Sequence, residues 1–190
     1  MIAFEEPGPA LTRHQVARVE LDAAIRNLFI DEDLVAAHLL TWSGLEVISD
    51  VGKARGRQTL RVAMTSQMSD EVRKRWRRAE HDHYNFMKHA DRDPDRTIRL
   101  APGMTAFALH VACRDFQTVF NDLSPVMALY VAWYLRQNPE MGEGFNSEYL
   151  QAVAETVREA PADAWADMRT MVAVALANPD LGLSHFNFRE

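Results

Sequence analysis

Apolar side chains recur every three or four residues along most of the chain, which is the spacing of an amphipathic helix. Helix-capping residues precede several of these segments, and proline or glycine follows them. We therefore predict seven helices, over residues 12–30, 31–52, 69–90, 102–120, 124–137, 146–159 and 162–177. The segment 124–137 is apolar on nearly all sides, which predicts a central position in the fold.

The segment between the second and third predicted helices has a different pattern. Leu60, Val62 and Met64 alternate with other residues, as in a short strand. A lone strand would leave its backbone groups without partners, so we expect residues 53–68 to form mainly an ordered connection.

The composition favours one all-α domain over residues 1–190, a bundle of about six or seven helices. Hydrophobic residues make up 47% of the chain, which is enough to build a core without a metal or disulfide. Cys113 is the only cysteine, so an intramolecular disulfide is excluded, and its apolar neighbours predict a buried thiol. We find neither a signal peptide nor a run of about 20 apolar residues, which predicts a cytoplasmic protein with no membrane partner.

Charge is distributed unevenly along the chain. Residues 51–100 hold 13 Lys and Arg against 7 Asp and Glu, a net charge of +6, whereas the remaining residues carry −12. The overall charge of −6 argues against indiscriminate nucleic-acid binding. The asymmetry predicts a homo-oligomer, as does an apolar tail that contains Leu181, Leu183, Phe186 and Phe188.

The third predicted helix has an apolar face and a polar line beside it. The apolar face is expected to enter the core, and its members are Val72, Trp76, Ala79, His83, Phe86, Met87 and Ala90. The polar line, which we term the polar stripe, consists of Arg78, Asp82, Asn85 and His89. These residues follow one another at helical spacing, so neighbouring members can pair, and we interpret them as packing groups. The alternative is a catalytic or phosphate-binding site that uses Arg78, Asn85 and His89.

His38 lies on the apolar face of the second predicted helix. A buried imidazole needs hydrogen-bond partners, so we expect His38 to be buried and bonded to Asn85 or His89 of the third helix. A weaker interpretation joins His38 with His89, Asp91 or Asp93 at a metal ion, although no paired-ligand spacing supports it. The sequence contains no cofactor-binding motif, and no cofactor is predicted.

Two segments carry a resemblance to known proteins. DLVAAHLLTWSGLEVISD (residues 33–50) and NFMKHADRDP (residues 85–94) are similar to segments of a family of small, uncharacterised, all-helical bacterial proteins. This resemblance implies an all-helical cytosolic fold and supplies no activity.

A more distant resemblance is to HEPN domains, which are helical bundles that often dimerise and are frequently ribonucleases. Their active members have an Arg followed four to six residues later by a His, often with a polar residue directly after the Arg. Arg78 and His83 have this spacing. Asn85 and His89 match the polar residue and the His, with Tyr84 in place of the Arg. The resemblance implies that His89 acts as a general base and that Arg78 stabilises the charged phosphorane.

Two functions from different classes follow. The first is a non-enzymatic homo-oligomer that binds a protein or a small molecule, and this is the one we expect. The alternative is a HEPN-like ribonuclease or RNA-binding protein that uses Arg78, Asn85 and His89. A polar stripe open to solvent would favour the ribonuclease, whereas a buried and fully paired stripe would favour packing.

Overall fold

The computed structural model describes residues 10–89, 94–142 and 167–180, and in these ranges the chain is all-α, with no strand. The helices are α1 (Arg13–Phe29), α2 (Leu34–Ala54), α3 (Leu60–Ser66), α4 (Asp70–Lys88), α5 (Pro102–Phe120), α6 (Pro125–Gln137) and α7 (Met168–Ala177), with a 3₁₀ turn at Pro139–Gly142. The predicted all-α bundle is confirmed. The helix predicted over 146–159, the start of the one predicted over 162–177 and the apolar tail lie outside the described residues.

The helices begin at capping side chains. Thr12 forms a capping box with Gln15, in which each side chain accepts a hydrogen bond from the backbone of the other residue. Ser69 and Ser124 cap α4 and α6 through their hydroxyl groups. Each of these caps accepts a hydrogen bond from a first-turn N–H group that has no partner within the helix. The caps also confirm the predicted starts of α1 and α4.

The start of α2 differs from the prediction by two residues. Asp33 is the N-cap, and its carboxylate accepts a hydrogen bond from the backbone nitrogen of Ala36. Asp31 instead pairs with Arg26 of α1. Glu32 has a φ of 54°, so the chain makes a left-handed turn between the two aspartates before α2 can start.

The core lies where α1, α2 and α5 pack on one another and α6 packs against α1, α5 and α7. Ten residues of α6 are buried, which confirms its predicted central position. Gly44 on α2 allows close packing against α1, because a Cβ atom there would lie 3.0 Å from Cδ2 of Leu21. Cys113 on α5 is fully buried, as predicted, and burial raises its pKa well above the ordinary value.

Residues Leu60–Ser66 form helix α3. The expectation of an ordered connection over residues 53–68, and of a short strand within it, was therefore wrong. Thr59 caps the helix by accepting a hydrogen bond from the backbone nitrogen of Val62. Asp115 of α5 accepts further hydrogen bonds from the backbone nitrogens of Leu60, at 2.6 Å, and Arg61. The amide groups of the first turn therefore have partners without a neighbouring strand.

The inward face of α4 also differs from the prediction. Val72 is 48% exposed and Ala79 is exposed, whereas Glu80 and Tyr84 are buried. Half-buried members of the predicted face are Trp76, His83, Phe86 and Met87. The true inward face therefore overlaps the predicted one and is turned toward Glu80 and Tyr84. The cause is α3, whose Arg61 pairs with Glu80 and draws this carboxylate inward.

Helix α2 is the one described helix that is long and apolar enough to cross a membrane, judged by length and composition alone. Core helices pass the same test. Here eight of its 21 residues are buried, including His38 and Trp42, against the other helices of the bundle.

Candidate ligand-binding site

A narrow crevice of about 50 Å³ lies between α2, α3, α4 and α5. Its walls are almost entirely apolar, and they include Trp42, Leu45, Met64, Trp76, Phe107 and Val111. A single water-sized group needs roughly 10–15 Å³ of such space, so the crevice takes only a few groups of that size. The crevice is therefore suited to a short apolar end, such as a methyl group with its neighbour.

One charged pair interrupts this apolar lining. Glu80 is 6% exposed and accepts hydrogen bonds from Trp76 Nε1 at 2.5 Å and from Arg61 Nη2 at 3.0 Å. Arg61 Nη1 donates in turn to the Ser49 hydroxyl at 2.9 Å. The carboxylate thus has both a counter-ion and a neutral donor, which offsets the cost of its burial.

Trp42, which lines the crevice, has an unpaired polar group. Its indole nitrogen is buried and has no hydrogen-bond partner among the described residues. A buried donor left unpaired costs about 1–3 kcal/mol. An acceptor on a bound molecule would remove that cost.

A second cavity, a groove of about 440 Å³, lies next to the crevice. Arg61 and Glu80 line both cavities, so the crevice and the groove adjoin at this ion pair. The groove is bordered by three exposed cations, Lys53, Arg57 and Arg77. Its character is therefore polar and basic, in contrast to the crevice.

His38 is fully buried, as predicted, but its predicted partner was wrong. Its Nδ1 lies 2.9 Å from the hydroxyl of Thr105 on α5, and not beside Asn85 or His89. The reason is that α5 packs along α2 and brings Thr105 to His38. From α4, the His83 ring lies next to His38, with the ring centroids 5.7 Å apart. Burial, with a smaller contribution from His83, lowers the pKa of His38 to about 4, so its ring is neutral at pH 7.

The polar stripe is neither buried nor fully paired within itself. Arg78 is exposed, and Asp82 forms its ion pair with Arg96, whose hydrogen bond lowers the pKa of Asp82. Asn85 and His89 are half-buried, and the bond between them joins backbone atoms at the end of α4. None of these four stripe residues lines the crevice or the groove.

The described part of the structure provides no support for a metal site at His38, His89 and Asp91. Asp91 lies outside the described residues, and so does the segment that follows His89. Within the described ranges, no three His, Cys, Asp or Glu side chains come together as a metal site. His38 is occupied by Thr105 at one ring nitrogen.

The crevice and the groove were not predicted as a site from the sequence. Arg61 lies in a segment that was expected to be a connection. Glu80 follows the basic run of residues 73–78, which is typical of a solvated surface. The usable signal was the spacing of Trp76 and Glu80, four residues apart, which allows an indole N–H to meet a carboxylate on one helix face.

The crevice and the groove share one polar boundary and differ in character, one apolar and the other basic. Both are built from α2, α3 and α4, and α5 closes the crevice. Comparison of the chain with known proteins finds no matching family model, no matching curated protein and no matching solved structure.

Proposed function

We propose that the chain is a non-enzymatic protein that binds a small molecule, and that the crevice holds a short apolar end of this ligand. The observation that carries the proposal is an apolar crevice lined by Trp42, whose buried indole N–H has no hydrogen-bond partner among the described residues. Apolar cavities with a few polar groups are the usual sites of small ligands. A ligand with a carbonyl or hydroxyl oxygen next to its apolar end would satisfy this donor.

The charges at the crevice support binding rather than catalysis. Glu80 is held by Arg61 and Trp76, so it is not poised to accept a proton from a substrate. The polar side chains that line the crevice are Arg61, Thr65 and Glu80, with the Trp42 and Trp76 indoles. This set lacks a histidine or an activated nucleophile among the described residues.

We also propose self-association in a reducing compartment such as the cytoplasm. The charge asymmetry, +6 over residues 51–100 against −12 elsewhere, supports attraction between unlike surfaces of two copies. The lone, buried thiol of Cys113 supports the compartment, because no disulfide contributes to stability.

The test uses 2-hexanone, which combines a terminal methyl group with a carbonyl acceptor. We expect its titration to shift the Trp42 indole N–H resonance in a saturable manner, measured by proton–nitrogen correlation NMR. The Trp133 indole does not line the crevice and serves as the internal control. Absence of a saturable shift at Trp42 would refute the proposed site.

Two matched variants sharpen this test. Trp42→Phe removes the N–H, so we expect weaker binding of 2-hexanone. Trp133→Phe should leave the affinity unchanged. Equal affinities in both variants would show that the Trp42 donor has no role.

A further inference from the structure

We propose that the groove binds the anionic end, a carboxylate or phosphate, of the ligand whose apolar end occupies the crevice. The inference rests on the proposed function and narrows its ligand to a small organic anion with two dissimilar ends.

The first support is the charge of the groove. Lys53, Arg57 and Arg77 line it, and among the described residues none of the three has an ion-pair partner. Asp50 is the exposed acid beside them, while Glu80 is compensated by Arg61. A local excess of positive charge on a chain of net charge −6 attracts an anion to this place in particular.

The second support is the boundary between the two cavities. Arg61 and Glu80 line both, and their hydrogen bonds to each other and to Ser49 and Trp76 fix them in place. A ligand that extends from the crevice into the groove passes this pair. Its uncharged part then meets apolar walls and its charged part meets free cations, so each end is matched by its surroundings.

The third support is the difference in size. The crevice holds about 50 Å³, enough for a small terminal group, whereas the groove holds about 440 Å³ and accommodates a hydrated anionic group. A ligand in the reverse orientation would leave its charge among apolar walls, which is strongly unfavourable. The geometry therefore also sets the direction of binding.

The experiment compares two probes that differ at one end only. 5-Oxohexanoate has the methyl ketone of 2-hexanone and a carboxylate in place of the distal methyl group. We expect 5-oxohexanoate to bind about tenfold more tightly than 2-hexanone, with the same shift of the Trp42 indole resonance. Inorganic phosphate should compete with the carboxylate, and added NaCl should weaken only the charged probe.

Charge-removing variants locate the anionic end. Arg57→Gln and Arg77→Gln should each weaken 5-oxohexanoate binding about two- to fivefold and leave 2-hexanone binding unchanged. Arg75→Gln is the matched control, since it removes the same charge from α4 at a residue that pairs with Glu71 and does not line the groove. A denaturation midpoint equal to that of the parent verifies that each variant is folded.

The outcomes separate the two proposals. Equal affinity for the two probes would overturn the anion inference and leave the proposed function standing, whereas failure of 2-hexanone to bind would remove both. An equal loss of affinity in Arg75→Gln would also overturn the inference, because only long-range charge would then matter. Displacement of 5-oxohexanoate by single-stranded RNA at lower concentration than by phosphate would assign the groove to a nucleic-acid backbone instead.

Discussion

The carboxylate of Asp115 on α5 accepts a hydrogen bond from the backbone nitrogen of Leu60, 2.6 Å away and 55 positions earlier in the chain. It also bonds to the backbone of Arg61 and to the side chain of Thr59. Burial raises the pKa of Asp115 to about 6, and these hydrogen bonds act in the opposite direction. Because Arg61 and Met64 line the crevice, Asp115 indirectly positions one of its walls.

Replacing Asp115 with Ala should therefore disturb α3. We expect a loss of about 1–3 kcal/mol in the free energy of unfolding, because the partly buried first-turn amides would lose their acceptor. Amide exchange at Leu60 and Arg61 should accelerate more than exchange in α6. Asp50→Ala, at an exposed site, is the control. Unchanged exchange at Leu60 would contradict this role of Asp115.

Replacing His110 with Phe should stabilise the protein. The His110 ring is fully buried and stacks on Tyr134 with centroids 4.4 Å apart, yet neither ring nitrogen has a partner among the described residues. Phe keeps the stacked ring and removes two unpaired polar atoms, so we expect a gain of about 1–3 kcal/mol. Chemical denaturation at pH 8 measures it, and a loss of stability there would show that the nitrogens are needed.

The same variant should change the dependence of stability on pH. Burial, followed by the charge of Arg114, lowers the pKa of His110 to about 3, against 6.5 for an unperturbed histidine. The unfolded chain then binds a proton at this site below pH 6.5, whereas the folded chain does not until about pH 3. The stability of the parent should fall across this window, so the advantage of Phe should be larger at pH 4.5 than at pH 8. An equal advantage at both values would contradict the shifted pKa.

The ribonuclease alternative leads to a prediction about the polar stripe. Asp82 is paired with Arg96, and the chain carries a net charge of −6, so binding of RNA there should be weak and dependent on salt. We expect no cleavage when the parent is incubated with mixed RNA at low salt. Cleavage by the parent that is abolished in folded Arg78→Ala and His89→Ala variants would establish the enzyme instead.

Self-association is expected to be visible in solution. Light scattering at micromolar concentration should give a mass above the 21.6 kDa of one chain. Because attraction between unlike charges is screened by salt, the mass should decrease as NaCl is raised. A mass of one chain at low salt would refute the homo-oligomer.

Long elements could be predicted from the sequence because their signals are local. The 17 residues of α1 show several turns of periodicity after the Thr12 cap, and α6 combines Pro125 in its first turn with an apolar run. Helix α3 has only seven residues, too few to display a helical period. Its first turn also depends on Asp115, a residue far away in the chain.

The site was harder to predict because it depends on how the helices pack. The apolar neighbours of His38 correctly indicated burial, but the choice of Thr105 as its partner follows from the contact between α2 and α5. In the same way, Glu80 has the pattern of a surface residue until Arg61 is placed beside it. Contacts between helices are not encoded in local spacing.

No residue of α3 is fully buried, although the helix forms one wall of the crevice. Its attachment through Asp115 uses backbone groups, which every residue type except proline provides. Side chains at Met64 and Thr65 can therefore vary without loss of that attachment. Substitutions in α3 alone would therefore change the lining of the crevice, while the interior of the bundle stays the same.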